Sequence, residues 1–305
     1  MDLSEYLRAR QAEIEAALER ALPAHPGCPG VVADAMRYSV TAGGKRLRPV
    51  LCLASADAVG GDRALAMPAA CAIEFIHTYS LIHDDLPAMD DDTLRRGRPT
   101  LHVVAGEGMA ILAGDGLHAE AFGLLAREPR SDDAEITRRK LRVIDVIATA
   151  AGPAGMVGGQ ALDLAAVTPG TDGRLPAPFD AQGLRTMHAK KTGALIRASA
   201  VSGAIMGGGS DGAVTAIDAC AAELGLAFQI VDDILDVEGA SKDLGKTAGK
   251  DAAAGKPTYP ALYGLDASRR MARECIERAE AALVAAAIRD ARLLEIGRWI
   301  VERSN

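Results

Sequence analysis

Apolar residues recur along nearly the whole chain at helical spacing. Leu3, Leu7, Ile14 and Leu18 fall four or seven positions apart, which makes one stripe of an amphipathic helix. Comparable stripes predict helices over 30–42, 47–59, 65–85, 103–127, 132–150, 181–206, 212–237, 267–288 and 291–303. No long stretch alternates apolar and polar positions in the manner of a half-buried strand. Prolines sit mostly between the stripes, at Pro23, Pro26, Pro29, Pro87, Pro99, Pro129, Pro153, Pro169, Pro176 and Pro178, as expected of a residue that removes a helical donor. The segment 168–179, with three prolines and two glycines, predicts the best loop. Helical patterns of similar character flank it, so it marks no domain boundary, and no repeat of fixed period is evident. The expectation is an all-α chain forming a single domain over residues 1–305.

Composition narrows this further. Of 305 residues, 49% are apolar and 25% charged, as in an ordinary soluble protein, but only 3% are aromatic. Packing must then rest on Ala, Leu, Ile and Val, which suits close helix–helix contact better than a sheet. The net charge of −7 argues against a nucleic-acid binder, which needs a basic face. No run of about 18 uncharged apolar residues occurs, so no membrane span is expected. The N-terminus is charged from its second residue and resembles neither a signal nor a transit peptide. Five scattered cysteines with no C-x-x-C pair argue against structural zinc and fit free thiols in a cytoplasmic setting.

Candidate chemistry begins with the acids. Residues 84–92 hold five aspartates: Asp84, Asp85, Asp90, Asp91 and Asp92. Like charges this close repel, so something cationic must offset them. Pro87 should end or kink the preceding helix, leaving Asp84 and Asp85 at its terminus while Asp90 approaches from a loop. A second cluster, Asp232, Asp233 and Asp236, lies inside an apolar helix. Asp232 and Asp236 share one helical face, and carboxylates among Ile, Val and Leu are costly unless paired or metal-bound. Two such clusters suggest opposing walls of one cavity. Carboxylate oxygens suit Mg²⁺, Mn²⁺ or Ca²⁺, and short paired motifs match the habit of Mg²⁺ on substrate phosphates. Neither cluster has the spacing of an EF-hand loop.

Cations sit near these acids in sequence: Lys45, Arg46 and Arg48; Arg95, Arg96 and Arg98; Lys190 and Lys191; Lys242, Lys246, Lys250 and Lys256. Singly, each fits a solvated patch. Together with two metal-type motifs they fit a diphosphate site. The implied chemistry is ionisation of a diphosphate ester, whose leaving group needs its charge neutralised.

The motifs GGKRLRP (43–49), IHTYSLIHDDLPAMDDDTLRRGRPT (76–100), AILAGDGL (110–117), GGQALDL (158–164), KKTGALI (190–196), FQIVDDILD (228–236) and LGKTAGKDAAAGKPTYPAL (244–262) resemble those of the short-chain trans-isoprenyl diphosphate synthases. They run in that family's order through most of the chain. The resemblance implies a helical bundle around a deep central cavity, the isoprenoid synthase fold, as a homodimer. It implies head-to-tail condensation of isopentenyl diphosphate with an allylic diphosphate. Asp84, Asp90 and Asp232 would hold three Mg²⁺ ions, with Asp85, Asp233 and Asp236 as further ligands or supports. Arg95, Lys191, Thr192, Gln229, Lys246 and Lys256 would contact the allylic diphosphate. Lys45, Arg48, His77 and Arg96 would hold isopentenyl diphosphate.

Product length in this family depends on bulk below the first acidic motif. Tyr79 lies five residues before Asp84, about 7.5 Å down the helix, with the small Ser80 beside it. This resembles the bacterial-type farnesyl diphosphate synthases and implies a C15 product; the alternative is the C20 geranylgeranyl product. A terpene cyclase would not need a second diphosphate site and commonly lines its cavity with aromatic rings, which are scarce here. A non-catalytic partner subunit would tend to lose acidic motifs, and both are intact.

Overall fold

The computed structural model describes residues 2–24, 26–168, 179–240, 258–290 and 292–303. The helix α1 (Leu3–Ala21) opens with a reciprocal cap, in which the Asp2 carboxylate accepts the Glu5 N–H and the Glu5 carboxylate accepts the Asp2 N–H. Then come α2 (Gly30–Val40), α3 (Leu47–Ala58) and α4 (Arg63–Asp84). A two-strand hairpin, β1 (Leu94–Arg95) and β2 (Arg98–Pro99), precedes α5 (Leu101–Ala105), α6 (Glu107–Arg127), α7 (Ala134–Ala151) and α8 (Met156–Val167). The chain continues through α9 (Ala181–His188), a π-helical turn (Ala189–Gly193), α10 (Ala194–Met206) and α11 (Asp211–Ala240). It ends with α12 (Tyr259–Tyr263), α13 (Leu265–Ala285) and α14 (Arg292–Glu302). The described residues are thus all-α apart from the hairpin.

Three departures from the sequence pattern have physical causes. The predicted helix over 103–127 breaks at Gly106, whose φ of 84° only glycine adopts freely. The predicted helix over 181–206 is interrupted by the π turn. The helix α8 escapes periodicity because the residues it buries are Met156, Gly159 and Asp163, a stripe of the right spacing but not of apolar type. Most of the predicted loop over 168–179 lies outside the described residues.

The chain divides into two units. One comprises 1–147 and 199–209, the other 148–198 and 210–305. In the first, α4 packs between α3 and α6. The helix α3 is buried on all sides from Val50 to Ala56, and α4 from Ala69 to Ile76, as expected of helices at the centre of a core. Small residues bring backbones together there. A Cβ at Gly203 would overlap the carbonyl oxygen of Cys52, and one at Gly61 would overlap Gly207. By length and hydropathy α4, α6, α11 and the stretch 134–167 each qualify as membrane spans, which a search for uncharged runs passes over. The apolar face of α4 is used inside the first unit. In the second unit α11 packs along α13 and carries α14, while α8, α9 and α11 all meet the π turn. Leu184, Leu224, Ile230, Leu283, Leu293 and Ile296 are buried there, each contributing about 1.5–3 kcal/mol by leaving water.

Candidate active site

The first acidic motif begins where α4 ends. Asp84 is the last residue of that helix and Asp85 caps it. The chain past Pro87 folds back, and the Asp90 N–H donates to the Asp84 carbonyl (2.9 Å) and the Asp92 N–H to the Asp85 carbonyl (3.1 Å). Asp90 therefore approaches from a loop, as its sequence position suggests. Asp85 is buried, and its carboxylate accepts Nε of Arg95 at 2.8 and 3.0 Å, with a further Arg95 nitrogen at 2.6 Å. Burial raises the Asp85 carboxyl above its ordinary value while Arg95 pulls it back. Arg95 is delivered by the hairpin, whose two-residue turn, Arg96 and Gly97, has φ of 53° and 73°, the mirror-image geometry that short hairpins favour.

The basic motif of the same unit is built on unusual backbone. Gly43 and Gly44 have φ of 80° and 125°. The Arg96 guanidinium lies where a Gly44 Cβ would be, with Cζ 2.6 Å from that position, and donates to the Gly43 carbonyl. Arg46 is left-handed (φ 51°, ψ 33°) and stands as the N-cap of α3, at a steric cost of about 1–2 kcal/mol. Its side chain is buried, with one nitrogen 2.6 Å from the Glu74 carboxylate and the other donating to the Val40 carbonyl at 2.6 Å. Lys45 and Arg48 flank it. Burial holds His77 well below the usual imidazole value, and the guanidiniums of Arg48, Arg96, Arg95 and Arg46 lower it further, so it is neutral at pH 7. Sequence reasoning counted Arg46 among the cations of a diphosphate site, whereas its side chain is buried against Glu74, which sequence reasoning missed. The available signal was a glutamate inside the apolar run Ala72-Ile73-Glu74-Phe75-Ile76, one turn before His77.

Below the first acidic motif, the Tyr79 ring lies 4.9 Å from the ring of His118 and 5.7 Å from that of His83. His118 in turn meets Phe122 edge-on at 5.4 Å. The Nε2 of His83 is 3.2 Å from the Ile111 carbonyl. His83 had no role from sequence; it joins α4 to α6 beside Tyr79. The Ser80 hydroxyl donates to the His77 carbonyl at 2.8 Å.

In the second unit the π turn displays Lys191 and Thr192. Lys191 reaches Asp163 of α8 at 2.6 Å, while Lys190 donates to the Ala154 carbonyl at 2.7 Å. Gly193 touches Gly225 of α11, where a Cβ would lie 3.2 Å from the Gly193 Cα. Gly225, Gln229, Asp232 and Asp236 recur at spacings of four, three and four along α11, so they share one face. Asp233 is buried and accepts the Tyr259 N–H at 2.8 Å. Asp232 is exposed and meets Arg303 at 3.0 Å; the guanidinium of Arg303 also lies 4.2 Å from the Phe228 ring. Sequence reasoning missed Asp163 and Arg303. Lys246 and Lys256, with Lys242 and Lys250, lie outside the described residues.

Among the described residues no three His, Cys, Asp or Glu side chains gather as a ready metal cluster. The donors fit Mg²⁺ nonetheless, because that ion takes one or two protein carboxylates and completes its shell with water and substrate phosphates. Asp85 and Asp233 are the buried members, each committed to a hydrogen bond, whereas Asp84, Asp90, Asp232 and Asp236 reach solvent.

The sequence pattern of the family described as Polyprenyl synthetase matches residues 29–291. The heterodimeric geranylgeranyl pyrophosphate synthase large subunit 1 of Arabidopsis thaliana is 46% identical over all of this chain and 80% of its own. The dimethylallyltranstransferase of Fischerella ambigua is 43% identical over all of this chain and 84% of its own. A crystal structure of an FPP/GFPP synthase from Zymomonas mobilis superposes with a TM-score of 0.84 at 37% identity, covering 98% of both chains, which makes the fold that of the isoprenyl synthases. Motifs, helical architecture and relatives agree: this chain belongs to the polyprenyl synthetase family and is a trans-prenyl diphosphate synthase, condensing isopentenyl diphosphate with allylic diphosphates.

Proposed function

We propose that this enzyme is Mg²⁺-dependent and extends dimethylallyl and geranyl diphosphates to farnesyl diphosphate. The observation that carries the reading is the sorting of charge within each unit. Buried carboxylates hold neighbouring groups, solvent-reaching ones stand beside them, and a cluster of guanidiniums surrounds a neutral His77. Asp84, Asp90 and Asp232 would hold Mg²⁺, which supplies charge neutralisation at the leaving diphosphate. Asp85, Asp233 and Asp236 would support that set; Asp85 already fixes Arg95. Arg95, Lys191, Thr192 and Gln229 would meet the charge that develops on the departing allylic diphosphate. Lys246 and Lys256 are assigned to the same group on the motif alone. Lys45, Arg48, His77 and Arg96 would bind the diphosphate of isopentenyl diphosphate and aim its double bond at the allylic cation. Neutral His77 donates a hydrogen bond without becoming a competing acid, and the released diphosphate takes the final proton.

Tyr79, backed by His118 and His83, supports a C15 limit. A second reading, the C20 product, is supported by the Arabidopsis relative, which is named a geranylgeranyl pyrophosphate synthase. A homodimer accompanies either reading, supported by the exposed apolar residues Val103, Val104, Ile111 and Leu112 of α5 and α6. Incubation with Mg²⁺, isopentenyl diphosphate and each allylic diphosphate, with products separated by chain length, tests the reading. A C15 end product is expected. C20 from farnesyl diphosphate would replace it with the second reading, and no condensation with any starter would refute both.

A further inference from the structure

We propose that the buried Arg46–Glu74 ion pair is a positioning device for the isopentenyl diphosphate subsite. It locks the left-handed turn that carries Lys45 and Arg48 onto the helix that carries His77. The inference rests on the reading of Lys45, Arg48 and His77 as that subsite.

The side chains of both partners are 2% exposed. A buried ion pair is a poor source of stability, since well-packed apolar residues of similar size commonly do as well or better. Its persistence needs another account, and the geometry supplies one. The Arg46 guanidinium anchors three helices at once. It meets Glu74 on α4 at 2.6 Å and the last residue of α2 through the Val40 carbonyl at 2.6 Å, and its Nε lies 3.9 Å from Glu15 on α1. The same residue has φ of 51°, a conformation glycine would adopt without steric cost. Two glycines precede it, so the chain already uses glycine where only backbone freedom is required. An arginine at position 46 shows that its side chain is needed where its backbone is strained.

What this anchoring fixes is specific. Lys45 and Arg48 lie one residue before and two residues after the strained position, and Glu74 lies one helical turn before His77, on the same face. Glu74 also attracts Arg96, which rests on Gly43 and Gly44. One carboxylate therefore ties the strained turn to the helix, and the hairpin arginine rests on the same turn through Gly43. Misplacement of such groups by about 1 Å costs on the order of a hundredfold in rate.

The test compares Glu74→Gln, Arg46→Lys and the double variant Arg46→Met/Glu74→Met with the unaltered enzyme and with Lys45→Ala and His77→Ala. Thermal midpoint, kcat and KM for each substrate are measured with geranyl and isopentenyl diphosphates. Lys45→Ala and His77→Ala are expected to raise KM for isopentenyl diphosphate; if neither does, the subsite reading fails and this inference falls with it. Glu74→Gln is expected to raise the same KM by about tenfold or more, with KM for geranyl diphosphate within about twofold. Arg46→Lys, which keeps the charge but loses the fork, is expected to fall between. The double variant removes both charges and leaves no uncompensated buried charge, so it stays folded even where a single variant fails to fold, and it is expected to keep the raised KM. A thermal midpoint that falls while both KM values stay unchanged, or both KM values rising together, would overturn the proposal in favour of a general structural role.

Discussion

Gly159 is the sharpest point at which packing should control catalysis. It lies on α8 against the π turn that displays Lys191 and Thr192. An added Cβ would sit 2.5 Å from the Lys191 Cα and 2.8 Å from the Lys190 carbonyl carbon, and closer still to the Lys191 nitrogen. All three are backbone atoms, so no side chain can swing aside. Ordinary contact begins near 3.4 Å, so α8 and the turn must separate by about 1 Å to accept Gly159→Ala. Asp163 lies one turn farther along α8 and holds Lys191 at 2.6 Å, so the separation also stretches that ion pair. Overpacking of this kind costs about 1–3 kcal/mol, or roughly 2–10 °C in thermal midpoint. Displacing Lys191 by about 1 Å should lower kcat/KM for the allylic substrate by up to about a hundredfold. Thermal unfolding and steady-state kinetics at saturating isopentenyl diphosphate measure both. Gly108→Ala is the control, because a Cβ there meets nothing within 4 Å. If Gly159→Ala matched Gly108→Ala in midpoint and in kcat/KM for geranyl diphosphate, the close approach would be no constraint on Lys191.

Three further outcomes are expected. Asp84→Ala and Asp232→Ala should each lower turnover by orders of magnitude with an unchanged circular dichroism spectrum; near-normal rates would remove both from the metal site. Tyr79→Ala should shift products beyond C15, and a variant still stopping at C15 would show that Tyr79 is not the floor. Burial lowers the His188 imidazole to about 4, Asp163 opposing and Lys191 reinforcing the shift. The unfolded chain therefore binds the extra proton between pH 6.5 and about 4, and stability that is full above pH 6.5 falls by about 3 kcal/mol as pH drops through that window. The thermal midpoint of His188→Gln should decline less steeply over the same range; an identical slope would show that His188 does not carry the acid sensitivity.

The element pattern was legible where burial selects apolar residues, as in α1, α3, α4 and α11. It was silent at α8, where burial selects Gly159 and Asp163, and at the π turn, whose extra residue shows only as a break in a longer stripe. The acidic and basic motifs were legible as charge that no core would tolerate unpaired. Their division of labour came from the family resemblance and not from the residue pattern, because Asp84 and Asp85 are neighbours of one type and differ only in burial and in the reach of Arg95.

The sequence by itself determined the helical class and the family and named the candidate residues for diphosphate and metal, since periodicity and charge clustering are properties of the chain. The tertiary structure alone decided which of those groups are committed to protein partners. Asp85 goes to Arg95, Lys191 to Asp163 and Asp232 to Arg303. It alone revealed Glu74 beneath Arg46, an ion pair that joins residues 28 positions apart. Such pairings depend on which helix faces are packed together, and a linear pattern carries one face at a time.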